Sequence, residues 1–181
     1  WHYHQGNPTE IPAYAVSDHL AFSRQYLEIF LIELADISYI KGQQAEKKRI
    51  KGAKVPSQAM TKHFAQSGRY NQQFIDTFPD HSLVAKRLFL LAESEFKLQH
   101  WLNAIRAFER AGYQYPDFSD ASEAAYAVVL AYTKLSQTWA ELSPEHLAEW
   151  QHAEQVNRLR FVAFHAKDVR AVDVLFVALR Y

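Results

Sequence analysis

The chain has 181 residues, 49% of them apolar, and its 20 basic and 20 acidic side chains cancel at neutral pH. That apolar share supports a packed core, and the cancelled charge leaves no global field for a polyanion such as nucleic acid or for an acidic lipid surface. With no cysteine in the chain, disulfides, thiolate metal centres and a cysteine nucleophile are excluded.

Residues 1–16 are rich in aromatics and turn formers, Asn7-Pro8 and Ile11-Pro12 among them, and read as an irregular lead-in. Ser17-Asp18 offers a side-chain oxygen to cap a helix. From there Leu20, Tyr26, Leu27, Phe30, Leu31, Leu34, Ile37 and Ile40 recur at three- and four-residue steps, which predicts one long amphipathic helix. Glu28, Glu33 and Asp36 interrupt its apolar run, so it does not read as a membrane span. Lys41 to Pro56 holds Gly42, Gly52 and the cations Lys41, Lys47, Lys48, Arg49, Lys51 and Lys54, and reads as a solvated basic linker. Residues 1–56 therefore form a lead-in, a long helix and a linker ahead of a second segment, 57–181.

Ser57 caps a helix that runs to Phe78, where Pro79 stops it. Gly68 inside this helix costs about 1 kcal/mol relative to Ala. Further helices are expected over 82–98, 100–115, 120–136, 145–164 and 169–181. Asp80, Ser82, Asp117 and Ser119 follow the proline stops as caps, and Ser143-Pro144-Glu145 supplies a cap, a preset φ and an acid at a helix start. The chain opens on Trp1 with no leader pattern and stops at Tyr181 inside an apolar stretch, which reads as a piece of a longer polypeptide.

A spaced pattern recurs along the second segment. Phe64, Ser67 and Phe78-Pro79-Asp80 return 37 residues later as Trp101, Ala104 and Tyr115-Pro116-Asp117. A third copy reads Trp150, Ala153 and Phe164, with Asp168 beyond. The small residue permits close approach of two helices, the aromatic fills the space beside it, and the proline turns the chain into the next hairpin. Self-similarity at such a period predicts an all-α stack of helical hairpins that complete one another's cores.

Phe74-Ile75-Asp76-Thr77-Phe78-Pro79-Asp80, Trp101-Leu102-Asn103-Ala104-Ile105-Arg106-Ala107-Phe108 and Tyr115-Pro116-Asp117 resemble tetratricopeptide repeats. The flavour is that of bacterial envelope lipoproteins of the outer-membrane-assembly and Tol–Pal-coordinator kind. The period is three longer than that family's norm, and His165-Ala166 stands where a proline is expected. The resemblance implies a right-handed superhelical solenoid over 57–181, its last repeat incomplete. It also implies a non-catalytic scaffold that holds a partner peptide or helix in a concave groove, at the periplasmic face of the cell envelope. Carried onto this chain, the groove positions are Lys86, Phe89, Glu93 and Lys97, then Glu123, Tyr126, Leu130 and Lys134, then Asp173 and Phe176. Charges set register and aromatics anchor in such a surface.

Other chemistries fit less of the sequence. His146, Glu149 and His152 stand three apart, whereas a zinc pair favours i and i+4, so no metal site or cofactor is expected. Arg158 or Arg160 with His165 resembles the signature of the all-helical HEPN ribonucleases, although Leu159 and Phe161 replace the polar residue after the arginine. The 41–54 cations form the second alternative, an adaptor for nucleic acid or anionic membrane, with no interleaved aromatic for base stacking. No Gly-rich phosphate loop and no Ser–His–Asp context is present.

Overall fold

A computed structural model describes residues 13–48, 55–142 and 146–180. Within them lie seven α-helices and no strand: α1 (Ala13–Lys47), α2 (Gln58–Thr77), α3 (Val84–Lys97), α4 (Trp101–Tyr113), α5 (Ala121–Leu142), α6 (Leu147–Phe164) and α7 (Ala171–Ala178). Each helix packs mainly on the one before it and the one after it.

α1 is longer than the sequence suggests at both ends. Ser17 and Asp18 lie inside it rather than at its cap, and the expected linker is helical as far as Lys47. Propagation adds one hydrogen bond per residue ordered, and no Gly or Pro stands between Ala13 and Lys41 to interrupt it. Gly42 is not a breaker but a contact point: a Cβ there would lie 2.8 Å from ring carbons of Phe64. Its missing side chain lets α2 press against α1. The remainder of the basic run, Arg49 to Lys54, lies outside the described residues.

The hairpin junctions share one local design. Ser57 caps α2 as expected, its hydroxyl accepting from Met60 N–H at 3.3 Å. After α2, His81 N–H donates to Phe78 O (3.1 Å) and Val84 N–H to His81 O (2.9 Å). After α4, Phe118 N–H donates to Tyr115 O (3.0 Å) and Ala121 N–H to Phe118 O (3.1 Å). After α6, Asp168 N–H donates to His165 O (2.9 Å) and Ala171 N–H to Asp168 O (3.0 Å). The same turn thus recurs 37 and then 50 residues on. Ala166 takes the proline's place in the third turn without changing it, so the paired hydrogen bonds, not the ring, carry the geometry.

This register corrects the third copy by one residue. His165, not Phe164, matches Phe78 and Tyr115, and Glu154, not Ala153, falls where Ser67 and Ala104 stand. Ser67 and Ala104 are fully enclosed and Glu154 is buried, whereas Ala153 is only partly covered. The odd-numbered helices match as well: Val84, Arg87 and Leu91 of α3 are buried, as are Ala121, Ala124 and Val128 of α5 and Ala171, Val174 and Ala178 of α7. The tightest approach of α4 to α5 is at Gly112, where a Cβ would meet Ala125 N at 2.7 Å.

Alternate helices are joined by polar rungs. From α1 towards α3 run Glu28–His81 (3.2 Å), Asp36–Arg87 (2.5 Å), Tyr39–Glu93 (2.5 Å) and Glu46–Lys97 (2.8 Å). Rising numbers meet rising numbers, so α1 and α3 are parallel. Glu109–Arg160 (3.3 Å) links α4 to α6, and Glu123–Arg170 (2.6 Å) links the starts of α5 and α7. The main core runs from Leu31 of α1 through Phe74, Leu88, Ile105 and Phe108 to Val128 and Leu135 of α5. Ala125, Val129, Phe161, Ala171 and Val174 form a second cluster under α5, α6 and α7.

Candidate partner-binding site

The expected groove residues divide into two groups. Phe89 packs between Phe108 (5.7 Å) and Phe118 (6.1 Å), and Tyr126 packs on Phe161 (5.7 Å) beneath Arg170 (4.3 Å). Both are half-buried spacers that seat one hairpin on the next. Glu93, Lys97 and Glu123 are taken up by the rungs to Tyr39, Glu46 and Arg170. Burial, with the hydrogen bond to Glu93, pushes the Tyr39 phenol well above its ordinary range. Lys86, Leu130, Lys134, Asp173 and Phe176 are exposed on α3, α5 and α7. Phe176 is 60% exposed under Arg180.

Lys134 lies beside a cleft between α5 and α6. Its Nζ lies 3.4 Å from Gln137, and Gln137 lines this cleft of about 580 Å³. The floor is the register position that the other hairpins fill with Ser67 and Asn71, or with Ala104 and Phe108. Here it holds Glu154 and Arg158, paired four apart on α6. Thr133 Oγ1 donates to Glu154 Oε1 (2.6 Å) and Ser136 Oγ to Oε2 (2.7 Å). A buried carboxylate is tolerated only when its lone pairs are met in this way. The walls add Gln151, His152 and Leu147. A preformed cleft with a few fixed polar groups is the ordinary form of a ligand site. In the sequence Thr133, Ser136 and Glu154 do not stand out. The signal is a charged pair at 154 and 158 where α2 and α4 carry uncharged residues, visible only in the register of the third turn.

Gln72, Asn103, Arg106, Arg110 and Arg160 border a second groove, of about 660 Å³, with Leu88 and Leu91. Arg160 lies over the Tyr113 ring at 3.9 Å and pairs with Glu109. Burial pushes the Tyr113 phenol up to about 12, opposed by Arg160, and raises the Glu109 carboxyl as well. His165 closes α6 with its ring 5.7 Å from Phe161 and 5.8 Å from Tyr113, and its Nε2 is enclosed. Arg160 and His165 therefore share a packed aromatic cluster around Tyr113. His146 and Glu149 lie 3.6 Å apart, while His152 belongs to the α5–α6 cleft. Among the described residues no three His, Asp or Glu side chains gather as a metal site would need, and no helix is long and apolar enough to cross a membrane.

Comparison with protein-family models, curated proteins and solved structures finds no match to this chain.

Proposed function

We propose that this chain is a non-catalytic protein–protein interaction scaffold, a right-handed solenoid of tetratricopeptide-like hairpins that binds a partner peptide or helix. The observation that carries the reading is the α5–α6 cleft, where a satisfied Glu154–Arg158 pair stands in place of Ser67 and Asn71 of α2 and of Ala104 and Phe108 of α4. Relative to α4, the exchange gives up apolar packing and gains a rigid polar floor. Parallel alternate helices, antiparallel neighbours and a repeated turn support the solenoid. The bordering Lys134, with Leu130 one turn earlier, suits a partner segment that carries an apolar side chain beside an acid. A place at the bacterial envelope, within a larger protein, follows from the sequence resemblance.

Panning a displayed random peptide library on the immobilised chain tests this. Enriched peptides should lose binding to Lys134→Glu and Gln151→Ala, both exposed positions, with the helical spectrum unchanged. No enrichment, or enrichment indifferent to both variants, would count against the cleft.

A further inference from the structure

α1 carries large apolar side chains on more of its surface than the stack covers. Leu31, Ala35, Ser38 and Gly42 face the stack and are buried. Around the rest of the helix Leu20, Phe22, Tyr26, Leu27, Ile29, Phe30, Leu34, Ile37 and Ile40 are each 40–65% exposed. Contiguous exposed apolar side chains of this kind mark an interaction surface. Phe22, Tyr26 and Phe30 stack along the bare side at 4.4 and 6.4 Å, so the surface is already ordered.

We propose that this outer face is a homodimer seam, in which α1 of one copy lies antiparallel on α1 of a second copy. This proposal is independent of the peptide-binding cleft, which lies on α5 and α6. Three observations favour a second copy as the occupant. The seam side chains Leu20, Leu27, Phe30, Leu34 and Ile37 are each 40–65% exposed along one stretch of helix, a longer apolar strip than a monomer surface ordinarily leaves uncovered. Leu20, Ser23, Leu27, Phe30, Leu34 and Ile37 alternate at three and four residues, the 3.5-residue seam that pairs helix with helix. An antiparallel pairing also closes on itself: Leu20 meets the partner's Ile37, Leu27 meets the partner's Phe30, and Leu34 lies over the partner's Ser23. α7 also exposes Val172, Phe176 and Val177, but its eight residues cannot cover α1. A head-to-tail contact of α1 on α7 would extend without closing.

Sedimentation of the purified chain over a range of concentrations should show a dimer. Leu27→Glu/Phe30→Glu, and separately Ile37→Lys, should raise its dissociation constant by at least about 100-fold, with the helical spectrum retained because these side chains touch no core. The chain has no cysteine, so single cysteines report the geometry. A mixture of Leu27→Cys and Phe30→Cys chains should oxidise to a covalent heterodimer, because position 27 faces the partner's position 30. Leu20→Cys should not cross-link, since its two copies end about 25 Å apart at 1.5 Å per residue. A monomeric wild type, a dimer that survives both sets of variants, or cross-linking at Leu20 instead of between positions 27 and 30 would overturn the proposal. So would larger assemblies dispersed by Phe176→Glu, or a monomer that floats with anionic phosphatidylglycerol vesicles.

Discussion

The guanidinium of Arg87 on α3 meets the carboxylate of Asp36 on α1 at 2.5 Å, and Arg87 fills in α3 the core position that Ala124 and Val174 fill in α5 and α7. Arg87 is 2% exposed, while the Asp36 side chain is 43% exposed. The arginine is therefore the costly member of the pair and the aspartate its compensation. Asp36→Ala should destabilise the chain by about 2 kcal/mol, below the full penalty of an isolated buried charge because water still reaches the site. Asp36→Ala/Arg87→Met should recover most of that loss. Urea midpoints of the single and double variants check it.

Three glycines make opposite demands on the same substitution. Gly112→Ala should cost about 2–3 kcal/mol, because its Cβ meets Ala125 backbone that cannot step aside. Gly42→Ala should cost a similar amount through the enclosed Phe64 ring. Gly68, also in a helix, has its nearest neighbour at 3.5 Å, so Gly68→Ala should stabilise by about 0.5–1 kcal/mol through helix propensity. Thermal melts of the three variants would separate crossing glycines from a neutral one.

Glu154 and Arg158 can be exchanged for the pair that α4 uses in the same places. Glu154→Ala alone should cost about 2–3 kcal/mol by leaving Arg158 buried without its carboxylate. Glu154→Ala/Arg158→Phe, which copies Ala104 and Phe108, should restore most of the stability and abolish peptide capture. Denaturation and binding measured on the same samples distinguish a structural pair from a functional one.

Asp168 should give acid sensitivity. Hydrogen bonds from Arg170, side chain first and backbone second, hold its carboxyl well below the ordinary range despite burial. A carboxyl with a depressed folded pKa contributes stability that is fully present above its unfolded value, about 3.9, and is lost as pH falls toward the folded value. Asp168→Asn should therefore cost about 1–2 kcal/mol at neutral pH. The gap from wild type should begin to close below about pH 4, as equilibrium unfolding at successive pH values would show.

Much of the architecture is legible in the sequence because it depends on period and punctuation. Ser57, Pro79 and Pro116 mark real boundaries, and Ser67 and Ala104 are the small, enclosed residues their spacing implies. Ser17, Asp18 and Gly42 mislead because local propensity is overridden: a cap cannot act inside a propagating helix, and a glycine can serve packing as well as turning. The third repeat slips by one residue because Trp150 and Phe164 imitate the motif, while the backbone register shows itself only in hydrogen bonds. The proposed binding surface was the least legible part. Lys97 and Glu123 have the residue types of a recognition surface, but their partners lie 51 and 47 residues away in the same chain, a pairing that no local pattern records.

The shared junction makes the chain modular at a definable cut. Excising residues 81–117 would splice Asp80 directly to Phe118, and the turn would re-form on the same pair of backbone bonds, now from Phe118 to Phe78 and from Ala121 to Phe118. The shortened protein would set α5 where α3 had been, with Ala124 opposite Asp36. Gain and loss of whole units at this seam is thus a change the backbone already accommodates, and side-chain complementarity between non-adjacent helices is what holds the number of units in place.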